Sequence, residues 1–152
     1  MVDIYKEIST ALSAVNGLSR VDIAPRVETS SNIYPAAYVA IEELSPLNTL
    51  GCSDGDAALI FSVEYWLMPF GNNTQGPALN ELEPHLKTVE NARRILLKHY
   101  GNYVYNITLL NEKIDTDKEG CYVVAQRWGC NSNLWSTELL EWPNLPIELE
   151  LG

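Results

Sequence analysis

The chain has few of the residues that build metal centres, disulfide frameworks and most catalytic sites. It contains three cysteines and two histidines in 152 residues. Cys52, Cys121 and Cys130 are odd in number and lack C-x-x-C spacing, so neither a disulfide framework nor a zinc knuckle is indicated, and a reducing cytoplasm is the simplest setting. His85 and His99 fall on one predicted helix about 21 Å apart, too far to share a metal.

Basic residues are also scarce. Ten Lys and Arg residues stand against twenty Asp and Glu residues, which gives a formal charge of -10. Phosphates attract basic side chains, so this balance disfavours a nucleic-acid binder. The same charge suits a soluble subunit surface, a basic partner, or a passage through which a polyanion slides without binding. Charge alone does not choose among these.

Long apolar runs are missing too. No stretch approaches the about 18 residues of a membrane span, and the first residues carry charges where a signal peptide needs an apolar run. We therefore expect neither secretion by that route nor a membrane location. A length of 152 residues with 46% apolar residues predicts one folded domain.

Two apolar stripes at helical spacing predict two helices. They consist of Ile4, Ile8, Leu12 and Val15 in the first, and Leu82, Leu86, Val89, Leu96 and Tyr100 in the second. Gly17 can end the first helix. The second is predicted over residues 84–100, with Pro84 in its first turn and Gly101 after its end.

Alternating apolar residues predict the strands of a sheet. The predicted strands cover residues 21–23, 38–44, 57–68, 103–114 and 121–128, and the third should be central because it is the most regular. Its apolar face carries Leu59, Phe61, Val63, Tyr65 and Leu67. The predicted fold class is α+β: a mixed or antiparallel sheet of four to five strands packed by two α-helices, with an extended C-terminal tail. Residues 1–129 form the domain, and residues 130–152 are its C-terminal extension.

The acidic turn between the last two strands resembles a calcium loop only in part. Asp115, Asp117, Glu119 and Gly120 have the spacing of an EF-hand, but the twelfth position is Gln126 instead of a bidentate Glu. The sequence therefore predicts a polar hairpin turn over residues 115–120, and no metal or cofactor. The acidic residues Glu42, Glu43, Glu81, Glu83 and Glu90 are expected on solvated faces. Trp66 and Trp128 are expected in the sheet core, and no nucleophile motif indicates an enzyme.

Five segments together resemble the small tail-completion or tail-terminator proteins of long-tailed bacteriophages. They are Ile-Ser-Thr-Ala-Leu at residues 8–12, Arg-Val at 20–21, Tyr-Pro-Ala-Ala-Tyr-Val-Ala-Ile at 34–41, Phe-Ser-Val-Glu-Tyr-Trp at 61–66 and Val-Val-Ala-Gln-Arg-Trp at 123–128. The order and spacing of these segments carry the resemblance, which covers residues 1–128.

The resemblance implies a structural protein of a phage or prophage virion. Such an α+β subunit forms a ring, usually a hexamer, at the head-proximal end of the tail tube, stops tube polymerisation and joins the head connector. The implied partners are other copies of the chain, the tail tube protein and the head-connector protein. DNA would only pass through an acidic lumen, and assembly would take place in the host cytoplasm.

The candidate contact residues lie in two loops and the C-terminal tail. They are Leu47, Leu50, Asp54, Asp56, Phe70, Asn72, Trp135 and Trp142. The tail either folds back over its own sheet or docks on a neighbour, and Ile147, Leu149 and Leu151 would suit an added edge strand in either. Two other functions stay open: an acidic binding protein that mimics nucleic acid or caps a basic partner, and a small α+β enzyme or ligand-binding module with a deep pocket.

Overall fold

A five-stranded mixed sheet with two helices packed on one face makes up the structure. This computed structural model describes residues 1–25, 33–46, 57–69, 79–118 and 120–133. The elements are α1 (Val2–Ser13), β1 (Arg20–Ile23), β2 (Ala36–Pro46), β3 (Ala57–Pro69), α2 (Leu79–Lys98), β4 (Val104–Lys118) and β5 (Cys121–Ser132). The predicted α+β class is confirmed. Neither helix of the described residues is both long enough and apolar enough to cross a membrane.

The strands lie in the order β1-β2-β3-β5-β4. β1 runs parallel to β2, and every other neighbouring pair is antiparallel. β3 is therefore the central strand, as its regular alternation predicted. Its residues Leu59, Phe61, Val63, Tyr65 and Leu67 are buried against the helices.

α1 forms because one stripe of its surface is apolar. Ile4, Ile8, Leu12 and the following Val15 are all buried, as predicted. Each such side chain contributes about 1.5–3 kcal/mol when it leaves water. Gly17 follows with a φ of 101°, which side chains other than glycine rarely adopt.

α2 begins earlier than the sequence predicted. It starts at Leu79, so Pro84 lies in the second turn, and the placement of Pro84 in the first turn was wrong. A proline near a helix start removes only one backbone hydrogen bond, so packing of the apolar stripe can outweigh the loss. The helix ends at Lys98, two residues before the predicted end, and the His99 amide donates to the Leu96 carbonyl.

The hairpin of β4 and β5 is longer and tighter than predicted. The strands reach Lys118 and Cys121, which pair with each other, so the predicted six-residue turn was wrong. Only residues 119 and 120 separate the strands, and Gly120 has a φ of 70°, which a two-residue turn requires. Asp115 is part of β4 and pairs with Val123.

Both faces of the sheet bury aromatic side chains. On the helix face, the rings of Phe61 and Trp128 stack with centroids 6.3 Å apart. On the opposite face, Tyr38 and Trp66 meet edge to face within a second buried cluster. The predictions for both tryptophans are confirmed. The five glutamates expected on solvated faces, Glu42, Glu43, Glu81, Glu83 and Glu90, are exposed.

Candidate functional site

The residues predicted to make subunit and tube contacts lie outside the described part of the chain. Leu47, Leu50, Asp54 and Asp56 fall in residues 47–56, Phe70 and Asn72 in residues 70–78, and Trp135 and Trp142 in residues 134–152. The structure instead brings together a polar site that the sequence did not predict. It lies where α1 meets the turn between α2 and β4, residues 99–103, called here the α2–β4 turn.

A single carboxylate on α1 holds the α2–β4 turn. The Glu7 side chain accepts hydrogen bonds from the backbone amides of Tyr103, at 3.0 Å, and Val104, at 2.7 Å. Its Oε2 also lies 3.0 Å from Nε2 of His99. The carboxylate therefore has three partners on a segment more than ninety residues away in sequence, and hydrogen bonds to a charged acceptor are among the stronger ones in proteins.

Gly101 makes the close approach of this carboxylate possible. A Cβ atom at Gly101 would lie 2.4 Å from the Glu7 carboxyl carbon and 2.5 Å from each of its oxygens. Any other residue at this position would push the carboxylate away from its amide donors. The glycine that the sequence marked only as a helix stop therefore also shapes the site.

An open cleft of about 370 Å³ lies beside the Glu7–His99 pair. Its lining comes from α1 and the α2–β4 turn: Asp3, Lys6, Glu7, Thr10, Ala11, His99, Asn102 and Tyr103. Charges of both signs meet in it, which suits a polar or charged side chain of a partner. The Glu7 carboxylate is already engaged by backbone amides, so its geometry is that of a clamp on the turn.

A second cleft of about 390 Å³ lies on the other side of His99. Leu97 and Tyr100 border it, and both are exposed, at 47% and 77%. The Tyr100 ring lies 5.5 Å from the ring of Tyr105, between centroids, so its position is supported from β4. The α2–β4 turn thus presents an exposed aromatic ring on a held backbone.

A cysteine lies close enough to the clamp to feel its charge. Cys130 on β5 is buried, and burial, together with the nearby Glu7 carboxylate, raises the pKa of its thiol to about 12. A thiol with so high a pKa carries almost no thiolate at neutral pH and is a poor nucleophile. This site is therefore not arranged for cysteine catalysis.

A second polar network lies in the core beneath α2. Glu112 on β4 accepts hydrogen bonds from Arg93 of α2 and from Gln126, at 2.8 Å. Gln126 in turn accepts a hydrogen bond from the Trp128 indole at 3.2 Å. The Tyr65 hydroxyl is buried nearby with no hydrogen-bond partner, and burial is the main cause that raises its pKa well above the usual range.

Sequence reasoning missed both networks for the same reason. Glu7 and His99, like Arg93 and Glu112, come from different elements, and no spacing rule connects them. His99 was expected at a helix end, where it lies, but its carboxylate partner was not foreseen. Within the described ranges no group of three or more His, Cys, Asp or Glu side chains is placed to hold a metal ion.

Comparisons with known proteins give no family for this chain. No protein-family model matches it, and no curated protein matches it.

Proposed function

We propose that the chain is a tail-terminator subunit of a long-tailed bacteriophage or prophage. In this proposal copies of the chain form a ring, usually a hexamer, that caps the head-proximal end of the tail tube and joins it to the head connector. The subunit acts by fitting against other proteins and is not an enzyme. It assembles in the host cytoplasm and becomes part of the virion tail.

The observation that carries the proposal is where the resembling segments lie in the fold. Residues 34–41, 61–66 and 123–128 contribute to β2, β3 and β5, which are three adjacent strands of the sheet. Residues 8–12 lie in α1, which covers these strands, and residues 20–21 begin β1. The five segments thus form one connected unit, and the α+β architecture is the one that the resemblance implies.

The α2–β4 turn supplies a contact surface of the kind that a ring needs. Tyr100 projects from a backbone that Glu7 holds in place, and Leu97 adds an apolar side chain beside it. Exposed tyrosines on rigid backbone are typical anchors of protein interfaces, since little conformational entropy is lost on binding. We propose this turn as a contact between subunits.

The net charge of -10 supports the proposed passage of DNA through the ring. A negatively charged lumen repels phosphates and allows DNA to slide without binding. Accordingly, the protein should not retard duplex DNA in a gel even at low salt. Retention of DNA under those conditions would contradict this part of the proposal.

Co-assembly with a tail tube protein tests the proposed function directly. The tube protein from the same phage genome is polymerised with and without the chain, and the tubes are imaged by electron microscopy. Capped tubes that stop growing at one end are the expected result. Tubes of unchanged length with no added density at either end would contradict the proposal.

One observation favours a second candidate, a ligand-binding module. The cleft beside Glu7 and His99 has a volume at the lower end of the range for small-molecule sites. A thermal-shift screen with small acids, amines and nucleotides tests it. A saturable rise in unfolding temperature that Thr10→Trp abolishes would favour the module over the ring subunit.

A further inference from the structure

β4 is a long edge strand of the sheet. It spans Val104–Lys118, and among the described residues its only strand partner is β5. Its other edge therefore presents backbone N–H and C=O groups along 15 residues. Long edges attract further strands, so proteins usually cover or interrupt them.

The side chains along β4 indicate what kind of strand would fit beside it. Ile114 pairs with Val124 and so lies on the helix face, where it is 52% exposed. The preceding Lys113 pairs with Ala125, lies on the opposite face and is exposed. A complementary strand would place apolar residues beside Ile114 and acidic residues beside Lys113, in alternation.

The chain carries a segment with this alternation near its C-terminal end. Residues 147–151 read Ile-Glu-Leu-Glu-Leu, so an extended conformation would place Ile147, Leu149 and Leu151 on one face and the two glutamates on the other. We propose that residues 147–151 pair with the free edge of β4 in the same chain. The apolar residues then cover Ile114, and the glutamates lie beside Lys113.

The tail is long enough to make this contact. β5 ends beside the start of β4, since Ser132 pairs with Val104. The distance along β4 from Val104 to Ile114 is about 34 Å at the usual rise per residue. The fourteen residues that lead from Asn133 to Ile147 span up to about 50 Å when extended.

The covalent connection favours the same chain over another copy. A segment tethered at this distance has an effective concentration in the millimolar range, far above the protein concentration in most experiments. Pairing within the chain also covers an edge on which the β4 strand of a second molecule would otherwise pair. The tail thus protects the isolated subunit from association edge to edge.

Hydrogen exchange measured by mass spectrometry tests the pairing in the full-length chain. The variant Ile147→Ser with Leu149→Ser removes the apolar face of the segment, and Asn144→Ser is the matched control outside it. We expect amides within residues 108–116 to exchange about tenfold faster in the double variant and unchanged in the control, because strand pairing protects them. Peptides from β3 should not change. Equal exchange of β4 in all three proteins would overturn the proposal.

Disulfide trapping distinguishes the same chain from a second copy. Ile114→Cys is combined in turn with Ile147→Cys, Leu149→Cys and Leu151→Cys, in a background where Cys52 is replaced by serine. At least one pair should form a cross-link within the monomer on mild oxidation, seen as a band of altered mobility without reductant. A cross-linked dimer would assign the edge to another copy and overturn the proposal, as would the absence of any cross-link.

Discussion

At the scale of single residues, the structure separates polar groups that have partners from one that does not. Glu7 has three partners, and the Tyr5 hydroxyl accepts a hydrogen bond from the Ile41 amide at 3.1 Å. The Tyr65 hydroxyl is buried and has none. Because a hydrogen bond and a buried unpaired group have opposite effects on stability, substitutions at these residues should differ in sign.

Removing the charge of Glu7 should destabilise the protein. In Glu7→Gln the side-chain amide can accept hydrogen bonds through only one of its two polar atoms, so one of the backbone amides loses its acceptor. We expect the free energy of unfolding in urea to fall by about 1.5–3 kcal/mol. The control is Glu90→Gln on the exposed side of α2, which should change it by less than about 0.5 kcal/mol. Equal effects of the two substitutions would contradict the clamp.

The two buried tyrosine hydroxyls give a matched pair. Tyr65→Phe removes an unpartnered polar atom, so the free energy of unfolding should stay the same or rise by about 1 kcal/mol. Tyr5→Phe removes a hydrogen-bond acceptor and should lower it by about 1 kcal/mol. Urea titrations of both variants measure the difference. A loss of stability in Tyr65→Phe as large as that in Tyr5→Phe would show that the Tyr65 hydroxyl is hydrogen-bonded.

Cys130 should make stability fall at alkaline pH. Its pKa is about 12 in the folded protein, whereas an unfolded cysteine ionises near pH 8.5. Between these values the unfolded chain binds fewer protons, so the free energy of unfolding decreases as the pH rises. Replacing Cys130 by alanine should reduce this decrease, which urea titrations between pH 8 and 10.5 measure. An unchanged pH dependence in Cys130→Ala would contradict the assignment.

At the scale of elements, the central claim is that the α2–β4 turn and α1 act as one unit. Gly101 and Glu7 share the same space, so a Cβ at Gly101 and a neutral side chain at Glu7 damage the same set of hydrogen bonds. We expect Gly101→Ala and Glu7→Gln to destabilise by similar amounts, and the double variant to cost little more than either alone. A coupling energy of about 1–2 kcal/mol in a double-mutant cycle would be typical of groups in contact. Fully additive effects would contradict the shared site.

Most elements could be predicted from the sequence, because each helix and strand is encoded locally. The stripe of Ile4, Ile8 and Leu12 specifies α1, and the alternation in β3 specifies the central strand. Errors occurred where distant packing decides. The early start of α2 overrides the preference of Pro84, and strand pairing extends β4 through a polar segment that looks like a loop. The Glu7 site could not be predicted, since its members meet only after α1 has packed against the sheet.

At the scale of the whole molecule, the proposed function depends on contacts between subunits. Tyr100 lies at the C-terminal end of α2 and Leu79 at its N-terminal end, and their exposures are similar, at 77% and 75%. If the α2–β4 turn is a subunit contact, Tyr100→Ser should weaken ring formation by about tenfold or more, as loss of an aromatic anchor does. Leu79→Ser is the matched control and should assemble normally, as judged by the midpoint of assembly against protein concentration. Equal effects of both substitutions would contradict the placement of the contact.

The central claim is that the chain works as a ring of identical subunits. Light scattering coupled to size exclusion, run on the full-length protein over a wide concentration range, measures the mass of the assembly, and negative-stain images of the largest peak show its shape. The account predicts closed rings, usually of six 17.0 kDa subunits, at the highest concentrations or on addition of the tail tube protein. A strict monomer under all of these conditions would contradict it.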